Sequence, residues 1–330
     1  MGEVDMSRSV YVSLIILTAV LLSLFTVWAQ VSPMGRDYIE TEQLKRHRAV
    51  MEGHAGNPWQ YRVFAEYIVE ESIDAARALG LDRPISNSLV AVRVVQNMLI
   101  FLMAYLYYRK LGLKFLPALV GISILGWGMT YALYDSDMQF NTYFDVIFYL
   151  LAGLAILYRK YAWVILITFL AALNRESSGF IPILLLAVYW VHRDEEGSSK
   201  ILFSGIAALA AYTVVFFGMR QLYSPQEVVS VYGLSHGLEV FKYNVFRVPT
   251  WIYLFGTLGI IPILAVLSLR QWPQTLRAFF WTLVPAWFVL HMFISIMAET
   301  RIFLVPQALI LVPGAMIGAT SLVRSGSHNY

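Results

Sequence analysis

The stretch LAALNRESSGFIP, residues 170–182, sets an arginine beside a glutamate, with an asparagine and two serines, between runs that otherwise read as hydrocarbon. The flanking runs 161–173 and 180–191 rise only about 20 and 18 Å at about 1.5 Å per residue, short of a bilayer core of about 30 Å. Taken as one helix, 161–191 would rise about 46 Å, enclose Gly179 and Pro182, and send Arg159 and Lys160 to the opposite side from Arg193 and Lys200. Two short helices joined at 174–179 avoid all three faults. With the basic ends at one membrane boundary, the hairpin tip stops below the other surface. Irregular polar backbone at that depth is tolerated only inside protein or beside a watery cavity. The spacing therefore predicts that Asn174, Arg175 and Glu176 line an outward-facing pocket. The alternatives are that Arg175 and Glu176 merely pair with each other, or that the bilayer thins around them.

Working outward, the 330 residues are 58% hydrophobic and 14% charged, with a mean hydropathy of +0.63. Lipid is the solvent for most of such a chain. Runs long enough to cross lie near 10–31, 86–108, 115–134, 142–158, 201–219, 249–269, 278–297 and 302–321. With the hairpin they predict an all-α, polytopic transmembrane bundle of about ten membrane helices forming one integral membrane domain over 1–330. The chain has no cysteine, which excludes disulfides, thiolate metal sites and thiol redox chemistry. A net charge of +3, with no basic-aromatic surface, excludes a nucleic-acid partner. There is no glycine-rich phosphate loop, no Gly-x-Ser-x-Gly elbow and no His-Glu-x-x-His zinc pattern.

With a cytoplasmic N-terminus, the inner connections collect Arg109, Lys110 and Lys114, then Arg159 and Lys160, Arg193 and Lys200, Arg270 and Arg277, and Arg324. That distribution follows the positive-inside rule. It puts two larger loops, 32–85 and 220–248, on the extracytoplasmic side of the plasma or inner membrane. In the first, YRVFAEYIVEESIDAARALG (61–80) sets Val63, Tyr67, Val69, Ile73, Ala76 and Leu79 against Glu66, Glu70, Glu71, Asp74 and Arg77. This amphipathic pattern predicts a helix lying at the interface.

Other polar clusters fall on the same outer side. YDSDMQFNTYFD (134–145) opens a membrane helix, with Asp137, Asn141 and Asp145 at four-residue spacing and Asp135 at the mouth; Asp135 or Asp137 can equally cap the helix start. His291, Ser295 and Glu299 make a second four-residue stripe, and ETRIFLVP (299–306) places Arg301 at the start of the last helix, within reach of a site or of lipid headgroups. Arg93, Gln96 and Asn97 share one helix face and suit hydrogen bonds between helices. His47 and His54 lie seven apart without ligand-like neighbours, and His54 stands among the substrate-binding candidates.

An aspartate just after the first helix in MGRDYIE (34–40), PWQYRV (58–63), LNRESSGFIP (173–182) and ETRIFLVP together resemble polytopic bacterial glycosyltransferases of the GT-C superfamily, of the type that take sugars from polyprenyl-phosphate carriers. The resemblance implies an active site at the extracytoplasmic face and a general base in the first outer loop. Carried onto this chain, the base falls on Asp37, with Asp137 as the second catalytic candidate. Arg62, Arg175 and Arg301 are implied to grip the phosphate, with Asn174, Glu176, Glu299, Asp135 and His54 around the substrate. The acceptor would be a glycan, a lipid or a protein. Many such enzymes carry a soluble C-terminal domain; none is expected in these residues, which leaves acceptor recognition unassigned. A divalent cation such as Mg or Mn could bridge Asp37 or Asp137 to the phosphate, although no metal motif is present. A polysaccharide polymerase or ligase fits the same residues, and a transporter or flippase is the rival from another class, against which stands the absence of repeated halves.

Overall fold

Inside lipid a backbone must satisfy its own N–H and C=O groups, and a helix does so within one segment. The structure, a computed structural model, describes residues 8–133, 137–228 and 232–326, and every regular element among them is helical. The one β contact among them is an isolated parallel bridge between Asn57 and Val228.

Helix α1 (Arg8–Met34) ends at Gly35, whose φ of 75° suits a residue without a Cβ. A helical segment follows, made of Arg36–Tyr38, the π-turn Ile39–Gln43 and α2 (Leu44–Met51). A cis Asn57–Pro58 bond and the short turn Trp59–Tyr61 lead into α3 (Val63–Ala78). Then come α4 (Pro84–Lys110), α5 (Phe115–Tyr131), α6 (Phe140–Leu157), the hairpin α7 (Tyr161–Ala172) and α8 (Phe180–Val191), and α9 (Ser198–Leu222). The chain finishes with α10 (Leu238–Phe246), α11 (Val248–Leu258), α12 (Ile261–Leu267), α13 (Gln274–Ile294) and α14 (Val312–Gly326).

Among the described residues six helices can cross a membrane by length and composition, α1, α4, α6, α9, α13 and the continuous stretch Thr300–Leu322 that takes in most of α14, and a seventh if the bent pair α11 and α12 is one span. The chain is therefore a multi-pass helical membrane protein. Of the other expected membrane helices, α5, α7 and α8 form as shorter apolar helices, and 249–269 is broken. There α11 and α12 bend by 64° around Gly259, at φ 55°, and Pro262 then sits in the first turn of α12.

In the most hydrophobic window of both α6 and Thr300–Leu322, 83% of residues are buried, against 22% for α1. The first two are the centre of the bundle and α1 is its lipid-facing rim. Gly314 and Gly318, four apart on α14, permit close contact with the end of α12. A Cβ on Gly314 would stand 2.1 Å from the Trp272 ring, and one on Gly318 would stand 2.3 Å from the Ser268 Cβ.

The amphipathic helix 63–78 forms as expected, and its buried face keeps four of the six residues expected there. Val63, Ala65, Val69, Ile73 and Ala76 are inside, whereas Tyr67 and Leu79 are exposed. Its inner face packs on Ile39, Leu89, Met138 and Phe140, so protein covers it instead of lipid.

Candidate functional site

The hairpin tip forms as its spacing predicts. α7 and α8 both pack on α9, where Tyr212 closes over Gly179 and donates its hydroxyl proton to the Glu176 carbonyl at 2.9 Å. Below the tip, Ser177 Oγ donates to the buried Asp145 at 2.7 Å. Asn174 Nδ2 donates to the Asn141 carbonyl at 2.8 Å. Asn174 is fully buried, so it ties the tip to α6 and does not line a pocket.

Arg175 and Glu176 do line one: a cavity of ≈ 900 Å³ at the end of the bundle opposite the basic connections. Its wall comes from α2 and the loop after it, the head of α3, the stretch 137–141, the hairpin tip, the end of α9 and the turn 294–302. The two tip residues do not pair with each other. Glu176 Oε2 accepts from Arg62 Nε and Nη2 at 3.0 and 2.8 Å, and its Oε1 is 4.0 Å from Arg220. The Arg62 guanidinium also lies 4.8 Å from the centre of the Trp59 ring.

Arg175 is 9% exposed. Its Nη1 donates to Thr142 Oγ1 at 3.1 Å, and among the described residues no carboxylate stands at ion-pair distance from it. Two arginines of similar sequence character thus differ sharply: Arg62 is neutralised, while Arg175 presents its remaining N–H groups to the cavity.

Asp137 also lines the wall, paired with Arg46. It does not share a helical stripe with Asn141 and Asp145, because α6 begins only at Phe140. Instead 137–139 is an irregular stretch held by amide side chains: Gln30 Nε2 donates to the Asp137 carbonyl at 3.2 Å, and the Met138 N–H donates to Gln43 Oε1 at 2.9 Å. The second expected stripe breaks likewise, since α13 ends at Ile294 and Ser295 is extended. His291 is buried away from the wall with its Nδ1 on the Trp287 carbonyl at 2.8 Å. Ser295 and Glu299 line the cavity. Arg301, 2% exposed, stands behind it, holding Glu299 through Nη2 and Gln139 Oε1 through Nε at 3.2 Å.

The structure does not bring Asp37 to this site. It is exposed in the first turn after Gly35, its carbonyl capped by Thr41, about 14 Å along the helix from Arg46 at about 1.5 Å per residue. Asp135 lies outside the described residues. His54 is exposed on the wall. Gln96 and Asn97 make the expected interhelical bonds, to the Phe140 carbonyl at 3.0 Å and to Thr26 at 2.9 Å. Arg93 stacks on the Tyr143 ring at 3.6 Å.

Sequence reasoning missed Gln43, Arg46, Glu66, Arg220 and His236 in the wall. Gln43, Arg46 and Val50 have helical spacing, but only in a segment first read as loop. His47, which had no apparent partner, is buried between Glu66 and Glu70 of α3, with Nδ1 and Nε2 each 2.6 Å from a carboxylate oxygen. Burial alone would lower its pKa; the hydrogen bonds and charges of Glu66 and Glu70 outweigh that and raise it above 6.5. Among the described residues no three His, Asp or Glu side chains converge into a cation site. No protein family, curated protein or solved structure matches the chain in comparisons with all three.

Proposed function

We propose that this chain is an integral membrane glycosyltransferase that moves a sugar from a polyprenyl-phosphate-linked donor to an acceptor hydroxyl at the extracytoplasmic face. The observation that carries the reading is Arg175, a buried guanidinium in the cavity wall with no carboxylate at ion-pair distance among the described residues. A desolvated cation with no carboxylate in direct contact among the described residues has N–H groups left for an incoming anion, and a planar guanidinium fork matches phosphate oxygens. Sites for small ligands commonly enclose about 300–1,000 Å³, so the ≈ 900 Å³ here holds a sugar and its phosphate.

In the transfer, the acceptor oxygen bonds to the sugar's anomeric carbon as the bond from that carbon to the phosphate oxygen breaks. The electron pair stays with the polyprenyl phosphate, whose charge rises from one to two negative units. Arg175 stabilises that developing charge, and a wall carboxylate takes the acceptor's proton. Of the two catalytic candidates from sequence, Asp137 is the one in the wall. The basic connections at the far end favour a cavity facing away from the cytoplasm.

The test is incubation of the purified protein with a panel of polyprenyl-phosphate sugars and hydroxyl acceptors, with products read by mass spectrometry. A new glycosidic bond that disappears in Arg175→Met supports the reading. Movement of the intact donor across a vesicle membrane, with no bond made, overturns it in favour of transport.

A further inference from the structure

The cavity wall carries four carboxylates among the described residues, and three of them face a guanidinium: Asp137 faces Arg46, Glu176 faces Arg62, and Glu299 faces Arg301. Glu66 differs. Its Oε2 meets His47 Nδ1 at 2.6 Å, and its Oε1 makes no hydrogen bond among the described residues. The other ring nitrogen of His47 meets Glu70 Oε2 at 2.6 Å. Glu70 is not in the wall; its side chain is 35% exposed on the outside of α3, whereas His47 between the two is 1% exposed. The three groups therefore form a line from the cavity, through the protein, to outer solvent.

The line holds a movable proton. Ionised carboxylates only accept hydrogen bonds, so each of the two short N···O gaps needs its own proton. A neutral imidazole supplies one. The second resides in the trio, on the ring or on either carboxyl. The charged groups that face His47 are Glu66 and Glu70 of α3. Arg46, beside it on α2, is turned to Asp137, and Arg62 at the head of α3 is turned to Glu176.

We propose that Glu66 is the general base of the transfer and that His47 and Glu70 conduct its proton to the outer surface; this rests on the transferase reading above. As the acceptor oxygen bonds to the anomeric carbon and the phosphate leaves with its electron pair, the acceptor proton passes to Glu66 Oε1. The proton in the first gap shifts to His47 Nδ1, the one on Nε2 shifts to Glu70, and Glu70 releases one proton to water. The trio returns to its starting charge.

The test uses the full chain and the active donor and acceptor pair. Glu66→Gln keeps an oxygen to accept from His47, so the contact between α2 and α3 survives. It is expected to lower kcat by about 100-fold or more, with donor KM within about threefold of wild type. Formate is expected to restore turnover to Glu66→Ala, and rising concentrations of imidazole buffer to restore it to Glu70→Gln, since small bases replace the missing links. A purely structural clamp responds to neither. Glu66→Gln with more than about a tenth of wild-type kcat overturns the assignment. So does a loss in Glu66→Ala that formate leaves untouched, or a 100-fold loss confined to Asp137→Asn. If Glu66→Ala does not fold, the Glu66→Gln result decides. A wild-type chain that makes no bond from any donor refutes the transferase reading and the base with it; an active wild type beside an equally active Glu66→Gln refutes the base alone.

Discussion

Replacing Arg175 with methionine removes one positive charge from the cavity wall and keeps an unbranched side chain there, so it separates binding from folding. A hydrogen bond to a charged group contributes about 1.5–3 kcal/mol. Nη1 is already held by Thr142 at 3.1 Å, which leaves the other N–H groups for one or two bonds to a phosphate, about 3 kcal/mol in all. At about 1.4 kcal/mol per factor of ten, Arg175→Met is expected to lower kcat/KM for the donor roughly 150-fold. Stability moves the other way. A guanidinium only 9% exposed and lacking a carboxylate at ion-pair distance among the described residues carries a desolvation cost. Apolar replacement of such a charge is neutral or stabilising. The assay pairs donor kinetics with thermal unfolding of the detergent-solubilised protein, followed by tryptophan fluorescence. Arg175→Lys keeps the charge without the fork and falls between the two. Donor kcat/KM within about threefold of wild type in Arg175→Met refutes the assignment, and so does a loss that only follows a falling Tm.

The remaining predictions concern stability and orientation. His47 has a raised pKa in the folded state, so its contribution is complete below its unfolded value of about 6.5 and is lost as pH rises through the higher folded value. The Tm of wild type therefore declines above that range more steeply than the Tm of His47→Gln, in melts across neutral and alkaline pH. Arg93 is fully buried and its guanidinium has no hydrogen-bond partner among the described residues; Arg93→Met holds or raises Tm, and a loss above about 3 kcal/mol would show that stacking on Tyr143 outweighs burial of the charge. Gly314→Ala drives a methyl into Trp272 and costs about 1–3 kcal/mol, seen as a lower Tm. In this cysteine-free chain, single cysteines at His54 and His236 react with membrane-impermeant thiol reagents from one side of the membrane, and one at Lys200 reacts only from the other.

Composition and run length alone establish a helical membrane protein, and the length of 161–191 alone argues for two short helices with Arg175 and Glu176 between them. Those conclusions rest on the thickness of the bilayer and the rise of a helix, which no distant contact alters. Tertiary structure decided which polar residues meet. Arg62 reaches Glu176 across 114 positions and Arg46 reaches Asp137 across 91, and spacing within one helix carries no information about either. The same limit put Asp37 forward from the first outer loop, where the structure leaves it exposed and outside the cavity wall. It also hid His47, whose two carboxylate partners lie on a neighbouring helix. Hydrophobic periodicity reports which side of a helix is buried; the direction and depth at which its polar residues point into a shared cavity depend on how the helices cross, and that exists only in the folded bundle.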